Sequence, residues 1–557
     1  MSFNKFLNNK TDNSCDFNSS LSISDLNNRN SENYFFNKSD LDKMDHFKFL
    51  TDRYKLCNKT YFFFNDNNNL WKEEVTEDSV INRICEYTRE ILAPENKFVT
   101  ELLLKKQAEY VLKKNNGSMT TRESEDFEEL KTSLKEWNKF IDRVIKEHQK
   151  TKFARSVLNF FHHKIIDQEF MEKININNHH LLPFKNHNLN LMTGKMNGRI
   201  KEQYFTKALD FFDINNISED DEAYKVVDNF FLDICTGSEV KKQYLQKILG
   251  YFLSGNVTLG RTFYIFYGEG KNGKSAIIEI IGEIFNHYCK AMEASIIVKK
   301  GAKNAGQASP EMEVLDYGLR LALLSETNEG DQLNEVLIKN ITGYDPISYR
   351  SLYGKNKNFR SEAKLCMLTN NKPYFKLSTS MIDRIRFLDF KSRFGFEDPK
   401  LNEDGEKVDK TYYKANPKLV TELKTIYKEY VLAWMVKGSK KFFEDGHMNV
   451  PDDEQLIKEN MSYINEMDSY KRFTDECLVI DPNEKVLTSL VNDRYKKFCT
   501  DEGIPPIKTS QLKQLILKQY VIKKDSNNYY YGFRIREDED EEHNEHVSSF
   551  GLDFGLE

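Results

Sequence analysis

Apolar positions along this chain follow two periods, and the switch between them marks out the elements. Lys59 to Trp71 reads as a hairpin: an aromatic run Tyr61-Phe62-Phe63-Phe64, a turn at Asn65-Asp66-Asn67, then Leu70-Trp71. From Ser79 to about Glu172 the spacing is helical, with Val80, Ile84, Tyr87, Ile91 and Leu92 on one face and Leu134, Trp137, Phe140, Ile141 and Val144 on another. Residues 181–212 read as short strands about a Thr193-Gly194 turn, and helical spacing returns between Glu222 and Gly250. Phe263 to Tyr267 is an unbroken apolar run, followed by a glycine-rich turn and a helical stretch, Ser275 to Phe285. Two further apolar runs, Arg320 to Ser325 and Lys364 to Thr369, complete an alternation of strands and helices that predicts a mainly parallel α/β sheet. Residues 396–412 read as a charged loop, 417–470 as helices and 471–536 as a small α+β unit, with no internal repeat.

Composition narrows the picture. The 557 residues predict several domains, and no apolar run is long enough to predict a membrane-spanning helix. The first residues, MSFNKFLNNKTDNSC, show no apolar core of a signal peptide, so an intracellular protein is expected. A net charge of −6 means that any nucleic-acid surface must be local. The 8 cysteines are scattered without the close spacing of a zinc site, so reduced, buried thiols are expected. His162-His163 and His179-His180 lack a companion Cys or carboxylate cluster and read as structural. Residues 1–45 are Asn- and Ser-rich and read as disordered, and 537–557 read as an acidic tail.

The sharpest chemical signal is Gly268-Glu269-Gly270-Lys271-Asn272-Gly273-Lys274-Ser275, followed by Ala276, a phosphate-binding loop between a strand and a helix. Its glycines let successive N–H groups turn inward toward phosphate oxygens at a helix N-terminus. Lys274 suits the β- and γ-phosphates of ATP, and the Ser275 hydroxyl suits Mg²⁺. Glu326, at the end of Leu321-Ala-Leu-Leu-Ser325, is a candidate for polarising water and sharing Mg²⁺; Glu329 is a second carboxylate. Asn370 ends the strand Leu365 to Thr369 and could orient the attacking water. Arg384, in Met381-Ile-Asp-Arg384-Ile-Arg386, is a candidate arginine finger acting on a neighbouring subunit; the plainer alternative is a surface arginine paired with Asp383.

Taken together, these elements resemble superfamily 3 helicases, above all the helicase part of the primase–helicases of poxviruses, other large DNA viruses and certain phages. The resemblance runs through Lys247-Ile-Leu-Gly250 to Gly255, Tyr264 to Ser275, Leu321 to Glu326, Ile341-Thr-Gly343 to Arg350, Leu368-Thr-Asn370-Asn-Lys-Pro373 and Asp383-Arg384-Ile-Arg386. It implies a multidomain α/β protein with an AAA+ type P-loop ATPase core, a mainly helical N-flanking domain, a C-terminal winged helix, a hexameric ring and 3′→5′ unwinding. The expected partition is 1–45 disordered, 46–240 N-flanking with a small strand region, 241–395 ATPase core, 396–470 helical lid or linker, 471–536 winged helix and 537–557 acidic tail. Many relatives carry a double arginine where this chain has Asp383-Arg384, which leaves Arg386 as an alternative finger. Before residue 240, Asp40-Leu-Asp42 falls in the stretch read as disordered and Asp210 with Asp213 is wrongly spaced for a polymerase-type site, so no primase activity is expected of this chain.

Between the second and third core strands, Arg350-Ser-Leu-Tyr-Gly354-Lys355-Asn-Lys357-Asn-Phe359-Arg360 carries four cations, no acid and two aromatics. As a hairpin in a ring pore it would grip single-stranded DNA through Arg350, Lys355, Lys357 and Arg360, with an aromatic against a base. In the C-terminal unit, helices at Val486 to Thr500 and Ser510 to Gln519 and a wing of Val521 to Lys524 with Tyr529 to Ile535 suggest contact by Lys513, Lys518, Lys523 and Lys524 with forked DNA, or docking of a primase, polymerase or other replication protein. The acidic tail is a second candidate docking segment. The alternatives are a replication initiator or scaffold with an ATPase switch, to which Ser325 in place of the usual Asp gives support, and a DNA-packaging P-loop motor.

Overall fold

The structure is a computed structural model that describes residues 49–74, 76–128, 131–132, 135, 139, 146, 150–176, 178–211, 213–299, 310–315, 318–327, 331–350, 356–502, 506–519 and 528–536. The Asn/Ser-rich start, the acidic tail, the helical face at Leu134 to Val144, Glu329, Lys355 and Val521 to Lys524 lie outside the described residues. Two compact units emerge: residues 1–175 with 199–207, and residues 176–198 with 208–557.

In the first unit, α1 (Phe49–Arg53) leads into an antiparallel sheet of β1 (Tyr54–Cys57), β2 (Thr60–Asn65) and β3 (Leu70–Glu74). The aromatic run forms β2, and Tyr61 and Phe63 pack on one side while Phe62 and Phe64 pack on the other. This is the period-two alternation of a strand buried on both faces. Two longer helices follow, α2 (Glu77–Asn115), which Thr76 caps through its side chain, and α3 (Thr151–Ile165), whose Ala154, Val157, Leu158, Phe161 and Ile165 face the core. Helix α4 (Phe170–Lys173) closes the unit and brings Phe170 against Trp71.

The second unit starts with a small antiparallel sheet, β4 (Leu181–Pro183), β5 (His187–Asn190) and β6 (Met196–Gly198), turning at Gly194 in the left-handed region. Helices α5 (Glu222–Ile234) and α6 (Glu239–Leu253) lead to β7 (Phe263–Tyr267), the phosphate-type turn and α7 (Lys274–Phe285). Then come β8 (Cys289–Met292), β9 (Leu321–Leu324), α8 (Glu335–Gly343), the hairpin β10 (Ile347–Arg350) and β11 (Asn356–Phe359), β12 (Lys364–Thr369), α9 (Thr379–Ile382) and β13 (Ile385–Asp389). The central sheet is five-stranded with order β13-β7-β12-β9-β8, and every pairing in it is parallel.

Burial on both faces explains why its inner strands are continuous apolar runs. Tyr264, Phe266, Leu321, Leu323, Cys366 and Leu388 face a layer of helices, while Phe263, Ile265, Ala322, Leu324, Leu365, Met367, Ile385 and Phe387 face a second core that includes Ile338, Ile341 and the hairpin's Tyr349 and Phe359. Strands β8 and β13 at the two edges carry lysine, arginine or aspartate among few apolar residues and escape a reading that looks for apolar runs.

Strands β14 (Arg393–Gly395) and β15 (Tyr412–Lys414) flank the charged loop, and α10 (Pro417–Lys424) and α11 (Lys428–Asp445) follow. Trp434 of α11 stacks on Phe231 at 4.0 Å and donates to Asp228 at 2.8 Å. Gly250 of α6 and Gly438 of α11 face each other: a Cβ on Gly438 would overlap the Gln246 carbonyl, and one on Gly250 would overlap the Ser439 amide. Helices α12 (Glu454–Glu466) and α13 (Ser469–Cys477) lead to β16 (Leu478–Leu487), α14 (Thr488–Asp501), α15 (Thr509–Gln519) and β17 (Tyr529–Ile535). Strand β17 pairs antiparallel with β16, a strand the sequence reading did not assign; the ladder is irregular between Ile480 and Lys485, around Pro482. Cys57, Cys85, Cys235, Cys289, Cys366, Cys477 and Cys499 are buried free thiols.

Candidate nucleotide site

The C-terminal ends of β7, β12 and β9 lie side by side, which is where open parallel sheets present ligand sites. Beyond Tyr267 the backbone turns through positive φ at Gly268 (153°), Gly270 (86°), Lys271 (51°) and Gly273 (86°) before α7 begins at Lys274. A Cβ at Gly268 would overlap the Asn272 side chain and sit 2.6 Å from the Phe390 carbonyl, so the turn admits only glycine there. Asn272 is buried and braces the loop: its side-chain amide donates to the Phe390 carbonyl at 3.2 Å. The Phe394 amide donates to the Lys271 carbonyl at 2.8 Å. Glu269, Gly270, Lys271 and Ser275 are exposed on the crest, and Ala276 is partly buried behind it.

Lys274 is buried, and its ammonium donates to the Gly268 carbonyl and, at 3.1 Å, to Asn370 Oδ1. The Asn370 backbone N–H in turn donates to Glu326 Oε1 at 2.7 Å. Three residues singled out from separate strand ends therefore meet, with Asn370 on the middle strand between Lys274 and Glu326. Burial pulls the Lys274 ammonium below the ordinary lysine range, and the carboxylates of Glu326 and Asp389 work against that. Burial likewise raises the Asp389 carboxyl above the usual carboxylate range.

Sequence reading missed Asp389. It ends β13 beside Tyr267 in register, and the only signal was the short Phe387-Leu388 pair closed by an acid, since Arg386 breaks the run that marked Glu326's strand. Ser325, one residue before Glu326, has a structural contact: its hydroxyl accepts from the Ala294 amide at 3.0 Å.

An exposed serine hydroxyl at the start of α7 and the Glu326 carboxylate are oxygen donors of the kind Mg²⁺ takes, with waters and phosphate completing its shell. Among the described residues no group of three or more His, Cys, Asp and Glu side chains could hold a metal. The donor set thus fits an ion brought in with a nucleotide.

Arg384 lies at the other end of the sheet. It precedes β13, and its carbonyl accepts from the Phe263 amide at the start of β7. Five residues of strand at about 3.3 Å each separate that edge from the phosphate-type turn. Its guanidinium makes no ion pair with Asp383 among the described residues; Nε donates to Thr342 Oγ1 at 3.0 Å and a terminal nitrogen to the Ser380 carbonyl at 2.7 Å. Arg386 is turned toward the Met448 carbonyl at 2.8 Å.

In the hairpin, Ser348 pairs with Asn358 and Tyr349 with Lys357 in the backbone register. Arg350 is exposed at the end of β10, Lys355 lies outside the described residues, and for Lys357 only the backbone is described. Arg360 sits at the hairpin base, where it donates to the Tyr344 carbonyl at 2.7 Å. Phe359 is buried against Tyr349 with ring centroids 5.3 Å apart, so it belongs to the core and is no stacking platform for a base. Lys513 and Lys518 are exposed on α15.

No family model matches the chain. It is 24% identical over 349 residues, 62% of its length and 35% of the relative's, to the protein named "Putative helicase L207/L206" of Acanthamoeba polyphaga mimivirus. It is 24% identical over 274 residues, 48% of its length and 27% of the relative's, to "Putative helicase 022R" of Frog virus 3 (isolate Goorha). The chain thus spans about a third of the length of these curated relatives. Among solved structures, the apo NrS-1 C terminal region aligns with 62% of this chain and 81% of its own at 9% identity and a TM-score of 0.33. The chain is a distant homologue of proteins of large DNA viruses.

Proposed function

We propose that this chain is the motor part of an ATP-dependent DNA helicase of superfamily 3, working as a hexameric ring that moves on single-stranded DNA and unwinds duplex during viral, phage or plasmid-type replication. The observation that carries the reading is the convergence of Lys274, Asn370 and Glu326 on one edge of the parallel sheet, beside a glycine turn braced by Asn272. The distant viral relatives named as helicases support it.

In this reading the N–H groups of 268–276 hold the phosphates, and Lys274 exchanges its bond to Gly268 for a phosphate oxygen. Asn370 and Glu326 orient and polarise the attacking water. Ser275 and Glu326 would hold Mg²⁺, which neutralises phosphate charge. Arg384, on the edge remote from its own loop, serves the nucleotide of a neighbouring copy. Arg350, Lys355 and Lys357 grip the DNA backbone in the pore. Arg360 joins them only by leaving the Tyr344 carbonyl. Partners would be forked DNA, further copies of the chain, and a separate primase or polymerase reached through residues 471–536 or 537–557.

A strand-separation assay on a forked duplex with ATP and Mg²⁺ tests this. Separation that disappears in Lys274→Ala supports the motor. ATP hydrolysis with DNA binding but no separated strands would instead favour an initiator with an ATPase switch.

A further inference from the structure

An arginine acting across a subunit boundary must be held rigidly, because a guanidinium on four rotatable bonds loses its rate advantage if it wanders. The last turn of α8 supplies that hold. Thr342 is 3% exposed, and its hydroxyl donates to the Ile338 carbonyl at 2.7 Å, the local bond a helical threonine makes. Its remaining lone pair accepts Arg384 Nε at 3.0 Å. The Ser380 carbonyl takes one terminal nitrogen at 2.7 Å, and the other terminal nitrogen makes no hydrogen bond among the described residues. Anchors at Nε and at one terminal nitrogen hold the guanidinium plane from two directions and leave the second terminal nitrogen for a ligand. Arg384's backbone is tied to the first residue of β7, so both ends of the residue are set by the sheet and α8.

The same turn carries the hairpin base. Tyr344 ends α8 in the left-handed conformation (φ 63°), its carbonyl accepts Arg360 at 2.7 Å and its ring lies 5.6 Å from that guanidinium. Arg384 and Arg360 are thus mounted two residues apart on one helix end, through Thr342 and Tyr344.

We infer that Thr342 is a positioning residue for Arg384, its hydroxyl aiming the guanidinium toward a neighbouring copy's nucleotide. This rests on the reading of Arg384 given above, and the test separates the two. The full chain is assayed for ATP turnover with single-stranded DNA, alongside nucleotide affinity by a fluorescent ATP analogue. Thr342→Val keeps the β-branched shape and removes the hydroxyl; turnover should fall about tenfold or more while KM and analogue affinity stay within about twofold. Thr342→Ser restores the hydroxyl and should recover most of the rate.

In an Arg384→Ala background, Thr342→Val should change the residual rate less than about twofold, since a positioning group has nothing left to position. Additive loss in that background marks Thr342 as merely structural and overturns the inference, as does unchanged turnover of Thr342→Val. If Thr342→Val does not fold, the comparison passes to Thr342→Ser against Thr342→Ala, where equal rates overturn it. Full turnover in Arg384→Ala removes the underlying reading itself.

Discussion

The two ends of the five-stranded sheet use the same residue types for opposite duties. At the C-terminal ends of the strands, Glu326 and Asn370 are exposed, and Lys274 is held by the Gly268 carbonyl and Asn370. At the N-terminal ends, Arg320 precedes β9 and Lys364 opens β12, both about 1% exposed. Arg320 donates to the Leu181 carbonyl at 2.6 Å and to that of Leu253; Lys364 donates to the Glu362 carbonyl at 3.2 Å and to that of Ser254. Burial depresses the pKa of both cations. Glu362 is also buried, 3.1 Å from His179 Nδ1. One end keeps its charges within reach of a ligand. The other end, Arg384 apart, uses Arg320 and Lys364 to tie the sheet to 181 and 253–254, where unpaired carbonyls would otherwise be costly.

The difference can be broken most forcefully at the open end. Asn370→Ala should lower ATP turnover by about 10²-fold, the usual worth of one preorganised polar group, with the urea unfolding midpoint nearly unchanged. A large loss of stability with intact turnover would reverse the assignment of the two ends.

Arg320→Met should do the converse. Leaving two buried carbonyls and Glu362 uncompensated costs about 3 kcal/mol in urea unfolding, while nucleotide affinity of the folded fraction stays put. A variant as stable as the parent would mean that the buried cations are incidental.

The smallest effect sharpens the comparison with a partly exposed pair. Lys247 donates to Asp445, and that bond holds the Asp445 carboxyl below the usual aspartate range. An ordinary aspartate titrates near pH 3.9, so this stabilisation is complete above about pH 4 and is lost as pH falls through the depressed pKa. Asp445→Asn should cost about 1 kcal/mol or less near pH 7 and flatten the acid limb of the stability curve. An unaltered acid limb would show that the pair contributes nothing.

The open end was largely legible in the sequence because its residues stand at the ends of apolar runs. Phe263 to Tyr267, Leu321 to Leu324 and Lys364 to Thr369 are buried on both faces, so their limits are visible as the first polar residue after each run. The closed end was not legible. A charged residue at a strand's start reads as solvated, and only the fold reveals the carbonyls that receive Arg320 and Lys364. Strand β13 hid for a related reason, since Arg386 interrupts its apolar run and is accommodated by the distant Met448 carbonyl. Phe359 looked like a DNA-facing aromatic because its neighbours are cations, whereas hairpin alternation turns it inward. Thr342 lies within the resembling segment Ile341-Thr-Gly343, but its role was hidden, because a helical threonine is unremarkable until an arginine from 42 positions away rests on it.

The glycine pair between α6 and α11 has a mechanical consequence. With the Gly438 and Gly250 backbones in such close apposition, neither helix can slide along the other without driving main chain into main chain. The two behave as one plank, pinned further by the flat seat of Trp434 on Phe231 of α5. Under the motor reading proposed above, a movement starting at the phosphate-type turn would tip that plank as a unit, with α11 carrying the tilt along the eighteen residues from 428 to 445 rather than losing it in shear.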